Sequence, residues 1–201
     1  ILGVVIERLA YRPLREAPSL AVLITAIGVS YLLQQVAQLS WSSNPKSFTS
    51  VVSGMKPVSL FGGQLTISAE TIVTIVACVV IMVVLMWFVN YTPAGHAMLA
   101  VSEDRGAAQL MGVNVNGTIS LTFAIGSALA AIAGALLCSS YPTLQPTTGA
   151  MPGIKAFVAA VFGGIGSIPG AFVGGILLGI IENLSKAYIS TQLSDAIVFL
   201  V

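Results

Sequence analysis

The chain has 201 residues, 56% of them hydrophobic and 7% charged, with a formal net charge of +1. Soluble domains carry roughly a quarter charged residues, so a water-facing surface over the whole chain is excluded. A charge so near zero gives nucleic acid no electrostatic handle. A mean hydropathy of +0.97 points to the bilayer as the second solvent.

Residues 1–18, ILGVVIERLAYRPLREAP, begin apolar and then carry Glu7, Arg8, Arg12, Arg15 and Glu16. They read as the end of one span followed by a basic loop, with Pro13 and Pro18 opposing helix. Clustered arginine beside a span marks the cytoplasmic side. Residues 19–40 then form a complete span, since a run of about 20 apolar residues crosses the hydrocarbon. Gln34 and Gln38 share one face of it. That polar stripe serves either hydrogen bonding between helices or contact with a substrate. Residues 41–69 are rich in Ser, Gly and Pro and carry Trp41, Lys46, Lys56 and Phe61. They are expected to be an external loop with short extended pieces such as QLTIS.

Residues 70–90 form the next span, with Glu70 suited to its N-terminus and Trp87 and Tyr91 marking the opposite interface. Parity puts the following segment, 91–116, on the cytoplasmic side. Within it, SEDRGAAQLMG is expected to be one short helix. Ser102 is its cap, Glu103 and Asp104 lie in its first turn, and Gly112 ends it. Ala107, Ala108 and Met111 give it a small apolar face. A helix this short needs tertiary support, so it is either a docking element, against the chain's own spans or a cytoplasmic partner, or a capped connecting loop. Residues 117–141 form a further span with small residues repeating at Gly126, Ala130 and Gly134, a spacing that lets helices approach closely.

Residues 142–150 are an external loop, and 151–165, MPGIKAFVAAVFGGI, are apolar but short for a crossing. GSIPG is expected to be a turn, followed by a span over 170–187 and the start of a truncated one over 195–201. Irregular backbone at membrane depth must be buried in protein or line a cavity. This makes Gly163, Gly164, Gly166, Pro169 and Gly170 candidates for packing or for the pathway. Lys155 is the only charge between Arg105 and Glu182. It either snorkels to the outer interface or serves the pathway. Glu182 and Lys186 are spaced i, i+4 in the favourable order. The first residue is Ile1 rather than Met, and the last run, DAIVFLV, is apolar, so both ends read as cut.

Chemistry has little to work with. Cys78 and Cys138 lie inside apolar runs, and His96 is the lone histidine, so no metal site or disulfide is expected. The glycine-rich stretch GGIGSIPG has no lysine, and no phosphate-binding G-x-x-x-x-G-K-[ST] occurs. No cofactor and no enzymatic activity are expected. A channel, an ion-coupled secondary transporter or a structural membrane protein are the rivals from other classes. The secondary transporter has broken-helix signals at 163–170 in its favour but no clear mid-span carboxylate.

Segments throughout the chain resemble permeases of bacterial ABC transporters for branched-chain amino acids, of the high-affinity leucine/isoleucine/valine type. They are YRPLR at 11–15, AIGVSYLLQ at 26–34, NPKSF at 44–48, the 91–116 segment, and MPGIKAFVAAVFGGIGSIPGAFVGG at 151–175. The resemblance implies an all-α, polytopic type II-like importer bundle, one permease domain over 1–201 with further spans before and after it. It implies that 91–116 docks on ATPase subunits through Gly95, Ala97, Ala100, Glu103, Asp104, Arg105, Ala107, Ala108, Leu110, Gly112 and Asn114. His96 and Leu99 stand where the family often has arginine, and Gly106 where it tends to have a helix former. The implied partners are two cytoplasmic ATPases, a second, related permease in a heterodimer, a periplasmic or lipid-anchored substrate-binding protein, and membrane lipid. The implied cargo is branched-chain amino acids in the inner membrane, the alternative being urea or short-chain amides.

Overall fold

A computed structural model describes residues 1–14, 17–47, 58–60, 65–141, 143–188, 191 and 193–200. Arg15, Glu16, Phe48, Lys56, Phe61 and Gln64, on which part of the loop readings rest, lie outside the described residues. The architecture is α-helical. Four described helices are long and apolar enough to cross a membrane, spanning Leu20–Trp41, Ala69–Tyr91, Val115–Ser140 and Ile168–Tyr188. Large apolar side chains such as Leu23, Ile24, Ile27, Val80 and Val84 stand exposed along them. That is what helices solvated by lipid require. The chain groups into two compact units, Ile1–Cys78 with Trp87–Pro146, and Val79–Met86 with Thr147–Val201.

In the first unit, α1 (Leu2–Ile6) runs directly into a π-helical turn, Glu7–Tyr11, and then a 3-10 turn, Arg12–Leu14. The expected loop after the first apolar run is therefore helical as far as Leu14. Pro13 is accommodated in the 3-10 turn, and Pro18 instead precedes α2 (Ser19–Trp41) with extended ψ of 149°. Thr25 donates to the Ala21 carbonyl at 2.8 Å, satisfying its hydroxyl within the helix. Beyond α2, β1 (Lys46–Ser47) pairs antiparallel with β4 (Thr143–Leu144), with Lys46 opposite Leu144. A cavity of about 320 Å³ lies beside this ladder, lined by Ala37, Trp41, Asn44, Lys46, Leu144 and Pro146 among others. β2 (Val58–Leu60) and β3 (Leu65–Ile67) form a second antiparallel ladder, Ser59 opposite Thr66. Helix α3 (Ala69–Tyr91) begins at Ser68, whose hydroxyl accepts the Thr71 N–H. After α4 (Pro93–Glu103) and α5 (Arg105–Leu110) comes α6 (Val115–Ser140), capped by the Asn114 side chain on the Gly117 N–H at 3.0 Å.

The second unit contains α7 (Ala150–Phe162), α8 (Ile168–Tyr188) and α9 (Ser194–Leu200) around a small core of Ala159, Leu178 and Val198. The expected turn over GSIPG is corrected: α8 starts at Ile168, so Pro169 and Gly170 belong to its first turn. Proline is tolerated there because its missing N–H has no partner in the helix. The Ser167 hydroxyl accepts the Gly170 N–H at 3.1 Å and fixes that start.

Candidate functional site

The segment 91–116 is built from local capping. Thr92 ends α3 and starts α4. Its hydroxyl donates to the Phe88 carbonyl at 2.6 Å and accepts the Gly95 N–H at 3.1 Å. Pro93 takes the first helical position. Gly95 is buried in this corner, where a Cβ would overlap the Val89 and Phe88 carbonyl oxygens. His96 Nδ1 is 2.9 Å from the Thr92 carbonyl oxygen.

The single helix expected from Ser102 to Gly112 is instead two. α4 runs to Glu103, the chain extends at Asp104 (φ −149°, ψ 113°), and α5 begins at Arg105. Ser102 is not the cap; its hydroxyl donates back to the Leu99 carbonyl at 2.7 Å. Asp104 is the cap, its Oδ1 accepting from Gly106 N–H at 2.7 Å and Ala107 N–H at 3.1 Å. A carboxylate can satisfy two of the orphan donors at once and also suits the positive end of the helix. At the other end, Gly112 has φ +85°. Its N–H donates to Gln109 and the Val113 N–H to Ala108, the paired pattern of a left-handed helix stop.

The capped pair has two faces. Val101 and Ala108, the latter 4% exposed, are buried, and both helices pack on α6. Leu110 and Met111 stand 90% and 84% exposed, with Leu99 also outward. Glu103, Asp104, Arg105 and Ala107 are exposed too, and Ala97 half-buried. The expected face of Ala107, Ala108 and Met111 is thus split: Ala108 holds the segment to the chain, while Ala107 and Met111 look away. Reasoning from sequence missed Thr92 and Val101. The Thr-Pro pair opening α4 was the signal available for the first; nothing local marked the second.

The other candidates are local to their own elements. Gln34 Nε2 donates to Ser30 Oγ at 3.3 Å on the same helix, and Gln38 is half-buried. In the second unit, a Cβ on Gly163 would overlap the Gly170 carbonyl, one on Gly170 the Gly163 carbonyl, and one on Gly174 would sit 2.5 Å from the Ala159 carbonyl. The backbones of α7 and α8 therefore touch directly. Gly164 and Gly166, with φ of +91° and +98°, make the turn between them. Lys155 Nζ lies 2.8 Å from Glu182 Oε1 and 2.7 Å from Asp195 Oδ1. Glu182 also takes Lys186 from the next turn. Lys155 thus joins α7, α8 and α9. No group of His, Cys, Asp and Glu suited to a metal occurs among the described residues.

These features define a polytopic α-helical membrane protein with a capped, partly apolar surface segment between spans. The chain belongs to the family described as branched-chain amino acid transport system / permease component, whose model matches residues 1–201, and it is accordingly a multi-pass inner-membrane protein. It is 44% identical over 197 residues to the high-affinity branched-chain amino acid transport system permease protein LivH of Escherichia coli (strain K12). That match covers 96% of this chain and 63% of the relative. It is 43% identical to LivH of Salmonella typhimurium over 96% of this chain and 63% of the relative. The permease protein BraD of Pseudomonas aeruginosa is 42% identical over 98% of this chain and 64% of its own length. The chain therefore spans a little under two thirds of the curated relatives it matches. No solved structure matches it significantly.

Proposed function

We propose that the chain is part of the membrane-spanning permease subunit of an ATP-driven importer, carrying branched-chain amino acids inward across a bacterial inner membrane. It is a translocation subunit, and ATP hydrolysis belongs to two partner ATPases. The observation that carries this reading is the two-faced α4–α5 segment. Val101 and Ala108 are buried and both helices pack on α6, while the outer side offers Leu99, Leu110 and Met111 next to acidic Glu103. Exposed apolar anchors beside charge are what a protein partner recognises. Closure of the ATPases would push on this surface and tilt the helices attached to it, switching the pathway between its two openings.

A second, related permease completes the pathway, and a periplasmic or lipid-anchored binding protein delivers the cargo. The names of the 42–44% identical relatives favour branched-chain amino acids over urea or amides. The test is ATP-dependent uptake by the full-length protein in vesicles with its ATPases, sister permease and binding protein. Saturable uptake of leucine, isoleucine and valine is expected, lost when Leu110 is replaced by Asp. Uptake that ignores ATP or that Leu110→Asp leaves intact contradicts the reading.

A further inference from the structure

Glu7 is the only charged side chain buried among the described residues, at 0% exposure. It opens the π-helical turn and accepts a hydrogen bond from the Ser120 hydroxyl at 2.8 Å. Burying a carboxylate is costly, and an apolar side chain of similar size would fill the space more cheaply. What the carboxylate adds is a fixed register. Two further contacts fall on the same seam. A Cβ on Gly3 would overlap Ser127 Oγ, a hydroxyl already donating to the Phe123 carbonyl at 2.7 Å. The Tyr11 ring stacks at 5.0 Å, tilted 43°, on Phe123. Ser120, Phe123 and Ser127 lie at i, i+3 and i+7, one face of α6. α4 and α5 pack on α6 as well, and the α5 stop leads through Asn114 into its first turn. One helix thus bears both the N-terminal seam and the proposed docking segment.

We infer that Glu7 is a positioning residue for transport, which through Ser120 clamps α1 and its π-helical turn to α6 so that a displacement of α4–α5 reaches α1. The inference rests on the permease reading above, but the clamp itself does not. The test uses the full-length transporter with its ATPases and binding protein in proteoliposomes, carrying Glu7→Gln, Ser120→Ala, both together, or Ser120→Thr. A loss of folded protein lowers uptake and ATP hydrolysis together, whereas a broken clamp lowers uptake per ATP hydrolysed. The expected result is a fall in that ratio of about tenfold in either single variant, a tenfold change being about 1.4 kcal/mol of coupling. The double variant is no worse than the more severe single, and Ser120→Thr, which keeps the hydroxyl, retains the ratio.

Unchanged ratios, or losses that multiply in the double variant, overturn the inference. If Glu7→Gln does not accumulate, Ser120→Ala and Ser120→Thr decide it alone. If the unaltered transporter shows no ATP-dependent uptake, the permease reading has failed, and hydrogen exchange decides the clamp. Ser120→Ala should then speed amide exchange in Leu2–Tyr11 and Pro93–Leu110 together. Faster exchange confined to Leu2–Tyr11, or none in either, overturns it.

Discussion

Two of the places where the chain ends one helix and begins another within a few residues are made of opposite materials. Between α7 and α8 the joint is glycine: Gly164 and Gly166 turn the chain, and Gly163, Gly170 and Gly174 let backbone lie on backbone. Between α4 and α5 the joint is side chain: Asp104 holds two N–H groups, and apolar residues are left outside. Glycine lets the first joint close backbone on backbone, with Ser167 capping the start of α8. The second, with exposed ends and open carboxylates, uses polar caps that work in water. The first is suited to staying put and the second to being held by something else.

The largest expected effect breaks the first joint. Gly170→Val places a branched side chain into the Gly163 carbonyl and is expected to cost about 3 kcal/mol, read as a lower unfolding temperature in detergent and less protein in the membrane. Next, Leu110→Asp tests whether the second joint is a docking surface. It should lower ATP-dependent uptake by at least about tenfold, the weight of a good interface anchor, with the amount of permease unchanged; Glu103→Lys should act in the same direction. Ala108→Glu is a poorer probe, because the buried position would destabilise the chain itself. Asp104→Ala removes one acceptor from two donors and is expected to cost about 1 kcal/mol, visible as faster amide exchange over Arg105–Leu110. The smallest effect belongs to Lys155→Met. Its partners are partly exposed and Glu182 keeps Lys186, so about 1 kcal/mol or less is expected, measured in the same unfolding experiment. A loss of stability from Asp104→Ala as large as that from Gly170→Val would erase the contrast between the two joints.

Hydropathy located Ser19–Trp41, Ala69–Tyr91 and Val115–Ser140 to within two residues, because a lipid-facing span needs no tertiary information. The pairing of Glu182 with Lys186 was visible for a similar reason: both lie on one helix. The break at Asp104 was not. Ser102 and Asp104 are both capping residues, and only the hydrogen bonds that their side chains make to the backbone choose between them. Lys155 was singled out by its isolation in the sequence, yet its partner Asp195 lies on another helix. Glu7 looked like a loop charge next to Arg8, since its partner Ser120 is 113 positions away.

The π-helical turn at Glu7–Tyr11 has a further consequence for the chain as a heritable object. Such a turn accommodates one residue more than an α-helical path would. Deleting a single residue there, Leu9 for example, would let the helix relax to ordinary winding. Because the turn already absorbs the extra residue, the segments before and after it would keep nearly their present phase. Gly3 would stay on the Ser127 stripe, and hydropathy and net charge would hardly change. The five residues from Glu7 to Tyr11 can thus lose one in length where an ordinary helix would rotate its two ends apart by about 100°.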